Sequence, residues 1–412
     1  MSETKIIYAS SYQEAVDAER AFATVDIKTV SLKLIVNTVV FSANLVIVLL
    51  ERLWFKQYVS EIEPKNIVIY TVGTLGDSVL LLPSIAAIRR RFVDSTITVI
   101  TNCDKFSAHA ASSIFKDSPH IDNFIAIPDH PVQRVGRNLV VNFQNDSKPL
   151  CDMFVNLSPF GNRGCVGPMI REMFFAKWLG AKWVLGFKMS SYKRCHYFDD
   201  IQHYFVKNEA RRGQEILKKL GLFPIENEDL LNNDPLALNR VRELLATSVL
   251  SPPIAVLNPG AKLAASHWPA ERFGELAVWL SDTYGMSVVI NGTEGENTLC
   301  ERVKAASGGR AINLAGKLSI QDLVELLRIA NICITNNTGP MTLAANIGLP
   351  TVVITGTRFS PTFFIPVSNQ MITVFNFSSN RYSYDDSDVV ADDLLNIVVA
   401  DITKAVQKLL GE

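Results

Sequence analysis

The sequence has no long block of charge of one sign and almost no net charge, with 40 Lys and Arg against 41 Asp and Glu. A phosphate backbone needs a concentrated basic face, so nucleic acid is excluded as the main partner. The short run Arg89-Arg90-Arg91 reads as the solvated face of a helix. Cysteine is scarce. Cys103, Cys151, Cys165, Cys195, Cys300 and Cys333 are scattered, with no C-x-x-C pair, and no secretory signal opens the chain. Reduced thiols in a cytoplasmic compartment are therefore expected, with Cys333, inside the apolar "NICIT", as core packing. The six histidines show no H-x-x-x-H spacing, which argues against a zinc site.

What is present is ordinary globular material. The 412 residues are 48% hydrophobic and 20% charged, enough for two or three domains. One long apolar run stands out, Leu34 to Leu50, 17 residues without a charge. A spanning helix needs roughly 20 apolar residues, with about 17 as the lower limit. Three readings compete: a helix packed against protein, an interfacial anchor, and a true span. Asn37 and Asn44 fall on one helical face, and Trp54 and Phe55 suit an interfacial belt. The run begins too far into the chain, and lacks the small-residue site, to be a cleaved signal.

From Asn66 onward short β-branched runs alternate with helical ones. "NIVIYTV", "TITVIT", "NFIAIP" and "DMFVNL" form one series. After a break at Ser251-Pro252-Pro253, "IAVLNPG", "MSVVIN", "AINLAG", "NICIT" and "TVVITG" form a second, with helices such as "AERFGELAVWLSDTYG" between them. Alternation of this kind implies parallel sheets covered on both faces. The expected organisation is an N-terminal extension with a hydrophobic helix (1–61), a doubly wound α/β domain (62–250) and a second one (251–412), with a cleft between them. In such sheets ligands bind beyond the carboxyl ends of the strands, so the turns there carry the candidates.

Four turns qualify. In "VGTLGDSVLLLP", Gly73 and Gly76 permit a tight turn and Asp77 stands where the helix begins, either as a cap or as a base. It is no P-loop, since no Gly-Lys-Ser/Thr follows. In "LNPGAKLAASHWPAERF", Asn258, Gly260, Lys262 and His267 are polar candidates around backbone N–H groups suited to phosphate, whereas Trp268 reads as packing. In "INGTEGENT", Glu294 and Glu296 follow a second strand, where an acid can accept bonds from ribose or face solvent. In "ITNNTGPMTLAANIGLP", Thr338 and Gly339 leave free N–H groups at a helix N-terminus, favourable to a diphosphate or serving as an ordinary cap.

Taken together, in this order, the motifs resemble those of glycosyltransferase family 9, the bacterial heptosyltransferases of lipopolysaccharide core synthesis. The likeness covers roughly Asn66 to Thr355. The resemblance implies a GT-B arrangement of two facing Rossmann-like domains and an inverting, metal-independent, cofactor-free transfer from a nucleotide-diphospho-sugar. The implied acceptor is a glycan or glycolipid such as lipopolysaccharide core. It makes Asp77 the general base and places the acceptor near Gly73, Thr74 and Gly76. It makes Glu296 the ribose acid, and Thr338 and Gly339 the phosphate turn. Three positions depart from the family pattern. Ser266 stands where some relatives have a phosphate-binding Lys, Asn337 where the family has Asp, and Thr342 where it has His. Lys262 or His267 is the expected substitute for the lost cation. The implied setting is the cytoplasmic side of the inner membrane, with residues 34–50 near a lipid-linked acceptor. The rival from another class is a degenerate member acting as a binding or scaffold subunit in envelope glycan assembly.

Overall fold

The computed structural model describes residues 5–10, 14, 27–56, 62–102, 111–127, 130–135, 138–143, 148–158, 166–187, 213, 216–225, 228–248, 250–261, 266–356, 368, 370–377 and 392–411. Two units result, one of Ala23–Ile225 and the other of Met1–Phe22 with Glu226–Glu412.

The first unit holds helix α1 (Ile27–Trp54), strand β2 (Asn66–Val72), α2 (Leu75–Arg91), β3 (Thr96–Asn102), β4 (Asn123–Ile127), β5 (Val132–Val135), β6 (Asn138–Val141), β7 (Met153–Asn156), α3 (Val166–Leu179) and β8 (Trp183–Leu185). Its main sheet runs β4-β3-β2-β7-β8, parallel throughout, and β5 and β6 form a separate antiparallel pair. Residues 67–71 of β2 are buried without a break, as a strand covered on both faces must be. Ile67, Ile69 and Thr71 share one face. Val68 and Tyr70 share the other, where Tyr70 meets Phe154 and Phe175 at ring-centroid distances of 6.0 Å.

On that second face lies a cluster of polar side chains within the core. Asn156 donates to Glu172, and Ser158 N donates to Asn156 Oδ1 at 2.9 Å. His130 sits 6.5 Å from the Tyr70 ring, its Nδ1 at 2.9 Å from Val132 O. Burial, with Arg171 nearby, lowers the His130 pKa to about 4, although the bond to Val132 opposes the shift. The sign follows. Between about 4 and the ordinary 6.5 the unfolded chain binds a proton that the folded chain refuses, so this contribution to stability is intact above 6.5 and is lost as pH falls toward 4. Calorimetric melting of the first unit is expected to weaken across that window by an amount on the order of a few kcal/mol, and His130→Gln to flatten the dependence.

The second unit holds β1 (Lys5–Ala9), α4 (Pro235–Thr247), β9 (Ile254–Asn258), α5 (Ala270–Tyr284), β10 (Ser287–Ile290), α6 (Asn297–Ala306), β11 (Ala311–Asn313), α7 (Ile320–Ile329), β12 (Ile332–Asn336), α8 (Gly339–Ile347), β13 (Thr351–Thr355), β14 (Met371–Phe377), α9 (Asp392–Leu395) and α10 (Val399–Leu410). The sheet order is β1-β14-β13-β12-β9-β10-β11, with β9 to β14 parallel and β1 antiparallel at one edge. Counting from β9, this is the 3-2-1-4-5-6 order of the dinucleotide-binding fold. β9, β12 and β13 are buried at every position. Trp268 is fully buried against Phe273, its Nε1 donating to Ile397 O at 2.7 Å, which confirms it as packing.

The N-terminal region departs from expectation. The described residues within 1–61 do not form a separate hydrophobic extension. Lys5–Ala9 completes the second unit's sheet, registered Lys5 to Phe377, and Tyr8 donates to Asp401 at 2.8 Å. Helix α1 packs on the first unit, with Ala43, Ile47 and Phe55 in a core shared with Met169, Met173 and Phe175. Among the described residues no helix is long and apolar enough to cross a membrane. The described cysteines, Cys151, Cys300 and Cys333, are buried free thiols, each pushed up to about 12 by burial, so they are not thiolate nucleophiles at neutral pH.

Candidate functional site

Both sheets reverse their winding at one point, between β2 and β7 in the first unit and between β9 and β12 in the second. The turns leaving those strands are where a doubly wound sheet opens a crevice.

In the first unit the turn after β2 is built around a carboxylate. Thr74 caps α2, and its N–H and hydroxyl both donate to Asp77 Oδ2, at 2.7 and 3.0 Å. Gly73 has φ +150°, and a Cβ there would lie 2.4 Å from Asp77 Oδ2. Glycine is thus required twice over, for its backbone conformation and for the approach of the carboxylate. Gly76 lies in the first turn of α2. The sequence offered Asp77 as cap or base, and the structure shows the capping half of that choice without excluding the other.

The second unit repeats the device after β10. Thr293 N and Oγ1 donate to Glu296 Oε2 at 2.7 and 2.9 Å. "GTLGD" and "GTEGE" are one local structure used twice: a glycine, a Thr cap, and an acid three residues on. Glu296 then reaches across to the turn after β9, where a Cβ on Gly260 would fall 2.0 Å from Glu296 Oε1. The absence of a side chain at Gly260 is what lets the carboxylate lie against that turn.

A third segment joins them. Asn336, fully buried at the end of β12, donates Nδ2 to Pro259 O at 2.7 Å and accepts from Trp268 N at 3.3 Å. One side chain therefore pins the β9 turn and the entry to α5 to the start of α8. Thr338 is the N-cap residue of α8, but its hydroxyl donates to Asn336 O at 3.3 Å instead of accepting from the helix's first N–H groups. No acidic side chain occupies the first turn of α8, so its dipole is left to whatever anion approaches.

The remaining candidates divide. Asn258 is braced inside, its Oδ1 accepting from Asn291 at 2.7 Å and its Nδ2 at 3.2 Å from Cys333 Sγ. Thr342 is buried, with its hydroxyl turned back to Gly339 O at 2.7 Å. Asn337 is half-buried, its Nδ2 at 3.4 Å from Thr355 Oγ1. Ser266 is half-buried beside His267, whose Nε2 lies 2.8 Å from Ala261 O and so fastens the β9 turn. Lys262 lies outside the described residues. Gly260, His267, Glu296 and Thr338 thus belong to one linked set of turns, whereas Asn258 and Thr342 serve as internal braces. Sequence reasoning missed Asn336 as the organiser, since a strand-end Asn carries no signal of where its amide points. It also missed Thr293, although the G-T-x-G-D/E match to the first unit was legible.

Among the described residues no group of three or more His, Cys, Asp or Glu side chains is gathered as a metal site.

The model of glycosyltransferase family 9 (heptosyltransferase) matches residues 217–388. The chain is 23% identical over 317 residues to the lipooligosaccharide heptosyltransferase 2 of Campylobacter jejuni, covering 72% of this chain and 83% of that protein. Other heptosyltransferase 2 relatives are matched over 33% to 53% of their own length. Among solved structures, a family 9 glycosyltransferase from Veillonella parvula superposes with a TM-score of 0.60 at 21% identity, covering 85% of this chain and 99% of that one. The E. coli ADP-heptose heptosyltransferase II superposes at 0.58 and 18% identity, over 84% and 98%. At such identities these superpositions speak for the two-lobed GT-B fold.

Proposed function

This chain belongs to glycosyltransferase family 9, and we propose that it is an inverting transferase moving a heptose-like sugar from a nucleotide-diphosphate donor to a cell-surface glycan or lipid-linked acceptor. The observation that carries this reading is the convergence of Gly260, Glu296 and the Asn336–Gly339 turn at the winding reversal of the second sheet. Glu296 accepts the ribose hydroxyls, and the open N-terminus of α8 takes the diphosphate. Lys262 and His267 supply the remaining polarity around the phosphates, with Ser266 beside them. In the first unit Asp77 is the base. It takes the proton of the acceptor hydroxyl as that oxygen attacks the anomeric carbon, and the nucleoside diphosphate leaves from the opposite face of the sugar. The departing negative charge needs preorganised donors, which the α8 terminus provides. The work is done on the cytoplasmic face of the inner membrane, near a lipid-linked acceptor.

A second reading, a member that binds without turning over, draws on Asn337 and Thr342. Both bond within the protein, and neither brings charge to the phosphate turn. Calorimetric titration with ADP, GDP, UDP and dTDP separates the two. The transferase reading expects the wild type to bind one of them, ADP first by likeness to the E. coli enzyme's donor. If only Asn337→Asp binds, the donor site is switched off and the binding subunit is the better account.

A further inference from the structure

From Phe41 onward helix α1 is apolar on two sides, and among the described residues only one of them is buried. Ala43 and Ile47 are buried, and Leu50 and Trp54 pack against the same core. On the other side Phe41, Leu45, Leu49 and Leu53 stand 71%, 53%, 51% and 77% exposed. Their spacing of four sets them in one stripe along the helix, with exposed Val46 and Val48 beside it. A helix that only covers a core carries polar residues on its outer face. A continuous exposed apolar stripe instead marks a surface that something else covers.

The end of the stripe tells what that is. Lys177, near the end of α3, donates to Trp54 O at 2.7 Å and lies 5.8 Å from the Phe55 ring. Lys56 N donates to Lys182 O at 2.8 Å, and the Lys182 ammonium lies 5.9 Å from the Trp183 ring. Lys148 lies 4.5 Å from the ring of Trp178, which is partly exposed. Two carboxylates at this end are paired, Glu51 with Lys219 and Asp152 with Lys182. Arg52, Lys56, Lys148 and Lys177 then leave a positive rim, with Lys148 and Lys177 beside aromatic rings, adjoining an apolar stripe. Tryptophan at headgroup depth and lysines reaching out to phosphate are the chemistry of a bilayer interface. A second copy of the chain fits less well, because a two-fold pairing sets the same rim on both sides of one interface.

We propose that the outer face of α1 and this rim seat the first unit on an anionic phospholipid surface, with the helix lying in the plane of the interface rather than crossing it. The proposal deepens the reading of an enzyme working at the inner membrane by naming the surface and the lipid charge it selects. It also confines the contact to the first unit.

The test is co-sedimentation of the full chain with vesicles of phosphatidylcholine alone and of phosphatidylcholine with phosphatidylglycerol. Binding is expected to be about tenfold tighter to the anionic vesicles and to weaken as salt is raised. The variant Leu45→Glu/Leu49→Glu/Leu53→Glu, altered only at exposed positions, is expected to lose at least about tenfold in affinity. Arg52→Gln/Lys148→Gln is expected to lose the preference for anionic lipid and to keep the residual apolar binding. No binding to either vesicle, equal binding to both, or an unchanged triple variant each overturns the proposal. So does a dimer that the triple variant dissolves while vesicle binding is absent. ADP titration and circular dichroism on the same samples report the second unit and the fold, so failure of the membrane seat and failure of the transferase reading are read separately.

Discussion

Asp77→Asn is expected to lower the rate of transfer by about 10²–10⁴-fold, the range in which a positioned base contributes. Nucleotide affinity in the second unit is expected to stay as it was. The substitution is well controlled by the geometry. The bonds from Thr74 N and Oγ1 converge on a single oxygen, Oδ2, and an Asn carbonyl can accept both. The cap of α2 therefore survives, and what is removed is the charge and the proton-accepting capacity. Single-turnover assays with the donor chosen by titration, alongside Kd from calorimetry, measure the two effects apart. A rate within threefold of wild type would falsify Asp77 as the base and leave it as the cap that the sequence equally allowed. Gly73→Ala should act through the same carboxylate, since its Cβ would need the space Asp77 Oδ2 occupies.

The second large effect belongs to Gly260→Ala. The new Cβ falls 2.0 Å from Glu296 Oε1 and 2.4 Å from its Cδ. The end of a glutamate ordinarily swings aside at little cost, but this one is held by Thr293 N and Oγ1. The carboxylate must leave either the capping box or the β9 turn, and both outcomes remove it from the position proposed above to read the ribose. Nucleotide affinity is expected to fall by at least about tenfold, since a lost hydrogen bond to a charged group is worth about 1.5–3 kcal/mol. Stability is expected to drop only by the worth of a cap, about 1 kcal/mol. Titration of Gly260→Ala beside Glu296→Gln tests the coupling: the two variants should weaken binding alike, and the double variant little more than either. Full additivity would show that Gly260 and Glu296 act independently.

How much of this was legible beforehand depends on how local the physics is. The strands of both sheets were readable because buried parallel strands must be continuous apolar runs, and "NIVIYTV", "IAVLN", "ICITN" and "TVVIT" are just that. The turns were readable because glycine, threonine and acid at fixed offsets make capping boxes within five residues. Helix α3 and strands β8 and β14 were not read, because each is short or mixed in pattern and takes its place from neighbours distant in sequence. Strand β1 is the clearest case. "KIIYA" has the composition of a strand, yet its partner lies more than 360 residues away.

The two units divide at Ile225 and Glu226, ahead of the expected break at Ser251-Pro252-Pro253, whereas the sequence by itself determined the α/β class, the family likeness and the identity of the acids at the strand ends. Those follow from periodicity and short-range backbone chemistry, which operate within a turn or two of the chain. Only the tertiary structure decided that Glu296 rests on Gly260, that Asn336 ties Pro259 and Trp268 together, and that Asn258 and Thr342 face inward. It also decided that the apolar run at 34–50 belongs to a helix packed on the first unit, with the described part of its other face exposed. Which side of an apolar helix is covered, and which amide meets which carbonyl, depends on elements far apart along the chain, and no local pattern records that.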